Sequence, residues 1–398
     1  MQDSVLPPQR ALPANEGALA PCTLWQFCSY FLRLGSLGFG GPIALAGYMQ
    51  RDLVEARRWI AKRDYDEGLA LAQLSPGPLA AQLAIYLGWV RARLLGAALV
   101  SLAFVGPSFV MVLALAAVYL SYGGLAWMQG AFYGVGAAVI AIIGRSAVNL
   151  LKKTLKRDQL LWAIALSNAA VTAITASEVV WLVVVGGLLV LLIRARPAPA
   201  ALSSFAPLPG LLVGGLHGAA STATLLKILG YFTTAGLVVF GSGLAIVPFL
   251  HGGVVTANRW LTERQFLDAV AVAMITPGPV VITVAFIGYL VGGPAGATLA
   301  AIGVFLPSFL IVVLAAPHYR RIAGKGRVKA FVAGVTAGAI GAIAGAVIVL
   351  GRKSIVDLPT VAIALASLIV LIRVKRVPEH VLILLAGVVG VVLREVRG

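Results

Sequence analysis

Apolar residues arrive in long blocks separated by short polar punctuation. The blocks cover 24–49, 66–90, 94–121, 125–150, 160–174 and 177–193, and then 226–250, 266–290, 295–316, 329–351, 359–373 and 380–393. Most are long enough to cross the ~30 Å of hydrocarbon in a bilayer, which takes about 20 helical residues. A spanning block there must be helix or closed barrel, because no water is present to satisfy its backbone. Period-two alternation is absent, so the pattern predicts helices. The last two blocks of each set are short for spanning segments and are expected to form tight hairpins.

The second set is a copy of the first. Phe39-Gly40-Gly41 aligns with Phe240-Gly241-Ser242 at a shift of 201, as do Trp59 with Trp260, Arg63 with Arg264 and Glu67 with Asp268. Ser75-Pro76-Gly77-Pro78 meets Thr276-Pro277-Gly278-Pro279 at the same shift. After a one-residue deletion the shift is 200, pairing Gly88 with Gly288, Gly96 with Gly296 and Pro107-Ser108-Phe109 with Pro307-Ser308-Phe309. A register held over this distance implies duplication. The chain therefore divides into a flexible tail (1–22), a first repeat (23–195), a linker (196–225) rich in Pro, Ala and Ser at its start, and a second repeat (226–398).

Charge in the turns adds orientation. The turn at Arg91 and Arg93 is basic and that at 121–124 uncharged, whereas in the second repeat 291–294 is uncharged and 318–329 carries Arg320, Arg321, Lys325, Arg327 and Lys329. Equivalent turns then lie on opposite faces, which predicts an inverted-topology repeat. Inversion needs an odd number of crossings per repeat, so one block in each does not cross. The blocks 66–90 and 266–290, each interrupted by Pro-Gly-Pro, are the expected re-entrant hairpins. Ten crossings follow, with both termini outside. Arg259, Arg264, Arg352 and Lys353 then fall on the outer side, against the positive-inside rule.

Composition agrees with a polytopic all-α membrane protein: 60% of residues are hydrophobic, 11% are charged, and mean hydropathy is +0.98. The formal charge of +17 sits largely in short runs between blocks, such as Arg57-Arg58, Lys152-Lys153 and Arg373-Val374-Lys375-Arg376. Its partner is the lipid headgroup rather than nucleic acid, since no soluble basic domain is present. Cys22 and Cys28 suggest neither a disulfide framework nor a metal site. The four histidines are scattered, no phosphate-binding loop occurs, and no catalytic triad stands out, so no metal, cofactor or enzymatic chemistry is expected. A homo-oligomer is compatible with the pattern.

The candidate chemistry lies in the interruptions. Ser-Pro-Gly-Pro cannot continue a helix, and a break at membrane depth is tolerated only where protein or a watery cavity satisfies the freed backbone. The helix that resumes presents free N–H groups and about half a positive charge, an anion site in the making. Gly38-Phe39-Gly40-Gly41-Pro42 and Phe240-Gly241-Ser242-Gly243 offer the same arrangement again. The candidate substrate-binding residues are Arg33, Ser36, Gly38, Gly40, Gly41, Gln73, Ser75, Gly77, Gln82, Gly241, Ser242, Thr276 and Gly278, with Thr283 as a further polar neighbour. Arg33 would pair with a dianion or line its path, or else snorkel to the interface. Asp66, Glu67 and Asp268 are expected to cap helix starts, with proton relay as the alternative.

At these residues the chain resembles the chromate ion transporter (CHR) family, in its long-chain two-domain form. The likeness rests on Phe31-Leu32-Arg33-Leu34-Gly35, Gly38-Phe39-Gly40-Gly41-Pro42, Leu74-Ser75-Pro76-Gly77-Pro78 and Gly106-Pro107-Ser108-Phe109, and covers about 24–395. It implies a secondary transporter of the inner membrane that exports chromate and confers chromate resistance, with those motifs and Arg33 in its working machinery. Sulfate exchange or uptake is the alternative within transport, and a membrane enzyme or scaffold the alternative outside it. The second repeat departs in having Ser242-Gly243 where the first has Gly41-Pro42, and Thr234 where the first has Arg33.

Overall fold

A computed structural model describes residues 19–39, 41–122, 126–175, 180–194, 221–238, 240–241, 246–318, 326–374, 377 and 379–397. Most of the expected tail (1–18) and of the linker (196–220) lies outside the described residues.

Helices form nearly all of what is described. α1 (Leu24–Leu37) begins on Thr23, whose hydroxyl accepts from the Gln26 N–H while the Gln26 side chain accepts from the Thr23 N–H. Two otherwise orphaned donors are thereby satisfied. α2 (Pro42–Met49) has proline in its first turn, where a missing N–H costs nothing, and runs on into a π-helical stretch, Gln50–Ala56. α3 (Lys62–Leu74) stops before Pro76, β1 (Gly77–Pro78) follows, and α4 (Leu79–Tyr122) resumes. α5 (Ala126–Leu155), α6 (Gln159–Thr175) and α7 (Val180–Arg194) complete the first half.

The second half repeats this order. α8 (Thr222–Val238) leads to β2 (Phe240–Gly241), then α9 (Ile246–Leu250) with its π-helical continuation His251–Ala257, and α10 (Glu263–Ile275). A 3-10 turn, Val280–Ile282, opens α11 (Thr283–Ala315), and α12 (Gly326–Ser354), α13 (Leu358–Arg373) and α14 (Glu379–Arg397) follow. The repetition reaches the irregularities. The π-helical stretches are 201 residues apart, and so are the left-handed residues Arg58 and Arg259. Ala92-Arg93 and Gly292-Gly293, 200 apart, break α4 and α11 internally at equivalent points.

Those internal breaks make the first limb of α4 about as short as α3, which has 13 residues. A helix of that length reaches about 20 Å, less than a bilayer core. The two limbs lie side by side, for a Cβ on Gly68 of α3 would overlap the Tyr86 ring of α4.

Four described stretches are long and apolar enough to cross a membrane: Leu79–Ser121, Gln129–Lys152, Val280–His318 and Lys329–Arg352. Trp25, Leu102, Val110, Ile174, Leu192 and Leu314 expose large apolar side chains on the outside, as a lipid-facing surface requires. The protein is an all-α membrane protein.

At its centre α4 packs on α11, flanked by α1 on α4 and α8 on α11. The short helices depart from the hairpin expectation. α6 and α7 pack chiefly on α12, and α13 and α14 chiefly on α5, so each pair grips the long helix of the other half rather than its own neighbour. Small residues explain this. A Cβ on Gly341 of α12 would overlap the Ala165 carbonyl of α6, and one on Gly134 of α5 would overlap the Ala386 carbonyl of α14. Backbones that approach this closely gain dispersion contacts that lipid tails cannot match.

Candidate functional site

Each Pro-Gly-Pro break is built the same way. Ser75 and Thr276 take extended backbone angles, as the residue before proline must, and each donates its N–H to the last turn of the preceding helix. Their hydroxyls do likewise: Ser75 Oγ donates to Leu71 O at 2.7 Å, and Thr276 Oγ1 lies 3.1 Å from both Val272 O and Ala273 O. Gly77 (φ +131°) and Gly278 (φ +97°) then adopt left-handed angles that a side chain would strain.

The four breaks meet, and they meet across the halves. Gly77–Pro78 of the first half pairs in parallel with Phe240–Gly241 of the second. In return, the Gly278 N–H of the second half donates to Gly38 O of the first at 2.8 Å. Two serines complete the exchange. The absent Cβ of Gly77 would overlap Ser308 Oγ, and that of Gly278 would overlap Ser108 Oγ, which itself donates to Gly35 O at 3.2 Å. Each Pro-Ser-Phe motif thus covers the Pro-Gly-Pro glycine of the opposite half. Around this crossing Ser75, Gln82, Ser108, Thr276 and Ser308 are all buried.

Gln82, in the first turn after the break, folds back and donates from Nε2 to Pro76 O. Turning the amide over would set two oxygens against each other, so this orientation is fixed. Its Oε1 is buried and has no hydrogen-bond partner among the described residues. The first turn of α4, from Leu79, carries N–H groups with no intrahelical partner, whereas in α2 only Ile43 is left with such a group, since Pro42 has no N–H and Ala44 donates to Gly41 O.

The candidate residues therefore sort by place. Gly38, Ser75, Gly77, Gln82, Gly241, Thr276 and Gly278 come together, and Gly41 is the cap residue at the start of α2. Arg33 and Gln73 are exposed, and Ser36, partly buried, donates its hydroxyl to Leu32 O within α1, so these three stay on the flanks. Gly40 and Ser242 lie outside the described residues. The acidic residues do not cap. α3 and α10 start at Lys62 and Glu263, several residues before Asp66 and Asp268, and the cap of α10 is Thr262. Asp66 is exposed, Glu67 pairs with Arg63 at 3.1 Å, and Asp268 is buried in mid-helix.

The chromate transporter family model matches residues 25–191 and again 226–391. The chain belongs to that family. It is 55% identical over 393 residues to a chromate transport protein of Cupriavidus metallidurans, covering 98% of both chains. It is 54% identical to a probable chromate transport protein of Synechococcus elongatus, covering 93% of this chain and 95% of that one. A chromate transport protein of Pseudomonas aeruginosa is 32% identical over 410 residues, 98% of this chain and 97% of that protein. No solved structure matches. The family match falls once on each half, in agreement with the duplication.

Two serines of the crossing, Ser108 and Ser308, are not among the candidate substrate-binding residues. Ser108 and Ser308 belong to a motif the repeat preserves, and that preservation was the available signal. Asp268 lies outside the crossing, and its hydrogen-bond partner Tyr119 comes from the other half, which no local pattern shows.

Proposed function

We propose that this membrane protein is a secondary transporter that exports chromate from the cytoplasm across the inner membrane and so confers chromate resistance. The observation that carries the reading is the buried exchange of backbone between the four breaks. It gathers helix starts from both halves around one place, where N–H groups and helix dipoles favour an oxyanion. The two repeats run in opposite orientations, a reading supported by the swapped turn charges and by the reciprocal pairing of the breaks. α3 with the first limb of α4, and α10 with the first limb of α11, serve as re-entrant hairpins whose tips reach the middle of the bilayer. The Ser75 and Thr276 hydroxyls already donate to their own helices, so the anion is held chiefly by main-chain donors, with Gln82 shaping the pocket. Arg33 and Gln73 line the approach. The names of the relatives supply chromate as the substrate.

Export is energetically natural. One charge moved through 100 mV is worth about 2.3 kcal/mol, so a dianion leaving a negative interior gains roughly 4–5 kcal/mol. That corresponds to about a thousandfold gradient. The test is uptake of radiolabelled chromate into inverted vesicles under an imposed potential, with sulfate as competitor. Accumulation driven by an inside-positive potential, and lost in Gly77→Leu, is the expected result. Equal accumulation of sulfate would favour a general oxyanion exchanger, and no accumulation of either anion would end the transport reading.

A further inference from the structure

Away from the crossing, one carboxylate is buried without a basic partner. The ion pairs among the described residues include Arg63–Glu67, Arg194–Asp158 and His251–Glu263, and Asp268 is in none. Its hydrogen bond comes from Tyr119 of α4, whose hydroxyl donates to Oδ2 at 2.7 Å. The Tyr119 ring is held edge-on between Phe132 of α5 and Phe286 of α11. Asp268 lines a cavity of about 440 Å³ together with Phe132, Tyr133, Leu267 and Arg264.

The other charged residues that line the cavity, Glu263 and Arg264, are engaged. Arg264, one turn before Asp268 on α10, is exposed and donates to the Gln129 carbonyl of α5. Glu263 is held by His251 at 2.8 Å, and Tyr133 of α5 donates to Asp357. α14 contributes Leu393 to the cavity, with Arg394 and Glu395 next to it in the chain, while Glu379 and His380 sit in its first turn, far along the helix. From α11 the apolar Phe286 packs against the Tyr119 ring. A buried carboxylate that forms no ion pair with the arginine one turn away is costly as an anion, and a proton is the smallest group that relieves it. Ionisable groups buried in membrane transporters commonly carry protons.

Placement makes a proton here consequential. Asp268 lies on α10, the helix that ends at the Thr276 break, and Tyr119 lies on α4, the helix that begins at the Gly77–Pro78 break. Their hydrogen bond therefore ties the two halves together. We infer that Asp268, with Tyr119 as its donor, is a proton-binding site whose loading is coupled to anion movement through the crossing. This rests on the transport reading above. Asp268 takes one proton from water in the cavity and returns one to water after the halves move. Tyr119 keeps its own proton throughout.

The test uses the full-length protein in proteoliposomes with a trapped pH dye and radiolabelled chromate. In the wild type, chromate movement drives proton movement and depends on pH. In Asp268→Asn, chromate counterflow persists while chromate-driven proton flux is lost. Tyr119→Phe keeps the proton flux but displaces the midpoint of its pH profile, and Glu67→Gln, at the equivalent position of the first half, behaves as wild type. Wild-type chromate movement without protons overturns the inference. So does a folded Asp268→Asn that retains the proton flux or has lost counterflow. Should Asp268→Asn not fold, an undisplaced profile in Tyr119→Phe overturns it. A wild type that moves no chromate sinks the transport reading instead, and the two failures are thereby told apart.

Discussion

In α3, Arg63 and Glu67 lie one turn apart and form a salt bridge; in α10, the equivalent Arg264 and Asp268 lie one turn apart and do not. The backbone frame is the same in both helices. Glutamate has the extra methylene that lets its carboxylate meet the arginine, whereas the shorter aspartate stays inside and takes a tyrosine from the opposite half. Arg264, released, goes to a main-chain carbonyl. Duplication has thus preserved the scaffold and left chemistry to differences of one or two atoms. The same contrast recurs at the breaks. The first half resumes on a helix whose Gln82 keeps an unpartnered buried oxygen, and the second on a helix whose Thr283 hydroxyl donates to Val280 O at 2.8 Å.

The sharpest way to break the comparison is at the two left-handed glycines. A methyl on Gly77 would overlap Ser308 Oγ and the end of Gln82, both side-chain groups that can turn aside. A methyl on Gly278 would overlap Ser108 Oγ and lie 3.1 Å from the Gly35 carbonyl, which is backbone and cannot. Left-handed strain alone costs about 1–3 kcal/mol, and overpacking adds a similar amount. Gly77→Ala and Gly278→Ala are both expected to abolish chromate transport. Thermal unfolding in detergent should show the larger loss of stability in Gly278→Ala. Equal losses would mean that the two halves close around the crossing with the same rigidity.

How far the crossing was legible in the sequence depends on the kind of contact. The spans, the duplication and the four breaks follow from apolar length and from proline and glycine, which act locally. The exchange of partners between halves does not, since no local rule tells Gly77 that it pairs with Phe240 or Gly278 that it donates to Gly38. Helix starts were misplaced because an apolar block marks the part of a helix that faces lipid or core. The polar first turns Lys62–Asp64 and Glu263–Gln265 are helical too, the latter held by the capping box of Thr262. Residue type alone offers Ser75 and Thr276 as ligand donors, but a hydroxyl at a helix end has nearer acceptors in the carbonyls of its own last turn. Adjacency in sequence suggests hairpins for the short helices, whereas their glycine-lined partner belongs to the other repeat.

A smaller effect separates Gln82 from Thr283. Gln82→Met conserves volume, removes the bond to Pro76 O and removes the orphaned oxygen at once. An unsatisfied Pro76 O costs about 1–3 kcal/mol, partly offset by losing a buried acceptor that had no partner. Stability should therefore change by only about 1 kcal/mol while the KM for chromate rises. Thr283→Val removes one bond within a single helical turn, worth about 1 kcal/mol or less, and should raise KM less. Chromate transport by the two variants, measured with their unfolding temperatures, checks this. A larger rise in KM for Thr283→Val would place the more important polar group in the second half.

The smallest effect lies at the caps of α6 and α13. Asp158 and Asp357 occupy equivalent positions, accepting from the Leu161 and Thr360 N–H groups at 3.3 and 3.0 Å. Their second partners differ: Arg194 for Asp158, and the Tyr133 hydroxyl for Asp357. The Arg194 guanidinium, by its hydrogen bond, holds the Asp158 carboxyl below the usual carboxylate range. A lowered folded value means that the stabilisation is complete above the ordinary aspartate range. It is lost as pH falls through the folded value. Both side chains are partly exposed, at 40% and 27%, so solvent screening keeps the contribution below about 1 kcal/mol. Arg194→Gln should accordingly lower stability slightly at neutral pH, with the deficit shrinking in high salt and vanishing in acid. Tyr133→Phe removes a neutral donor, and its deficit should be indifferent to salt. Unfolding curves for the two variants across salt and pH distinguish a charged clamp in the first half from an uncharged one in the second. Salt dependence of equal size in both would erase that difference.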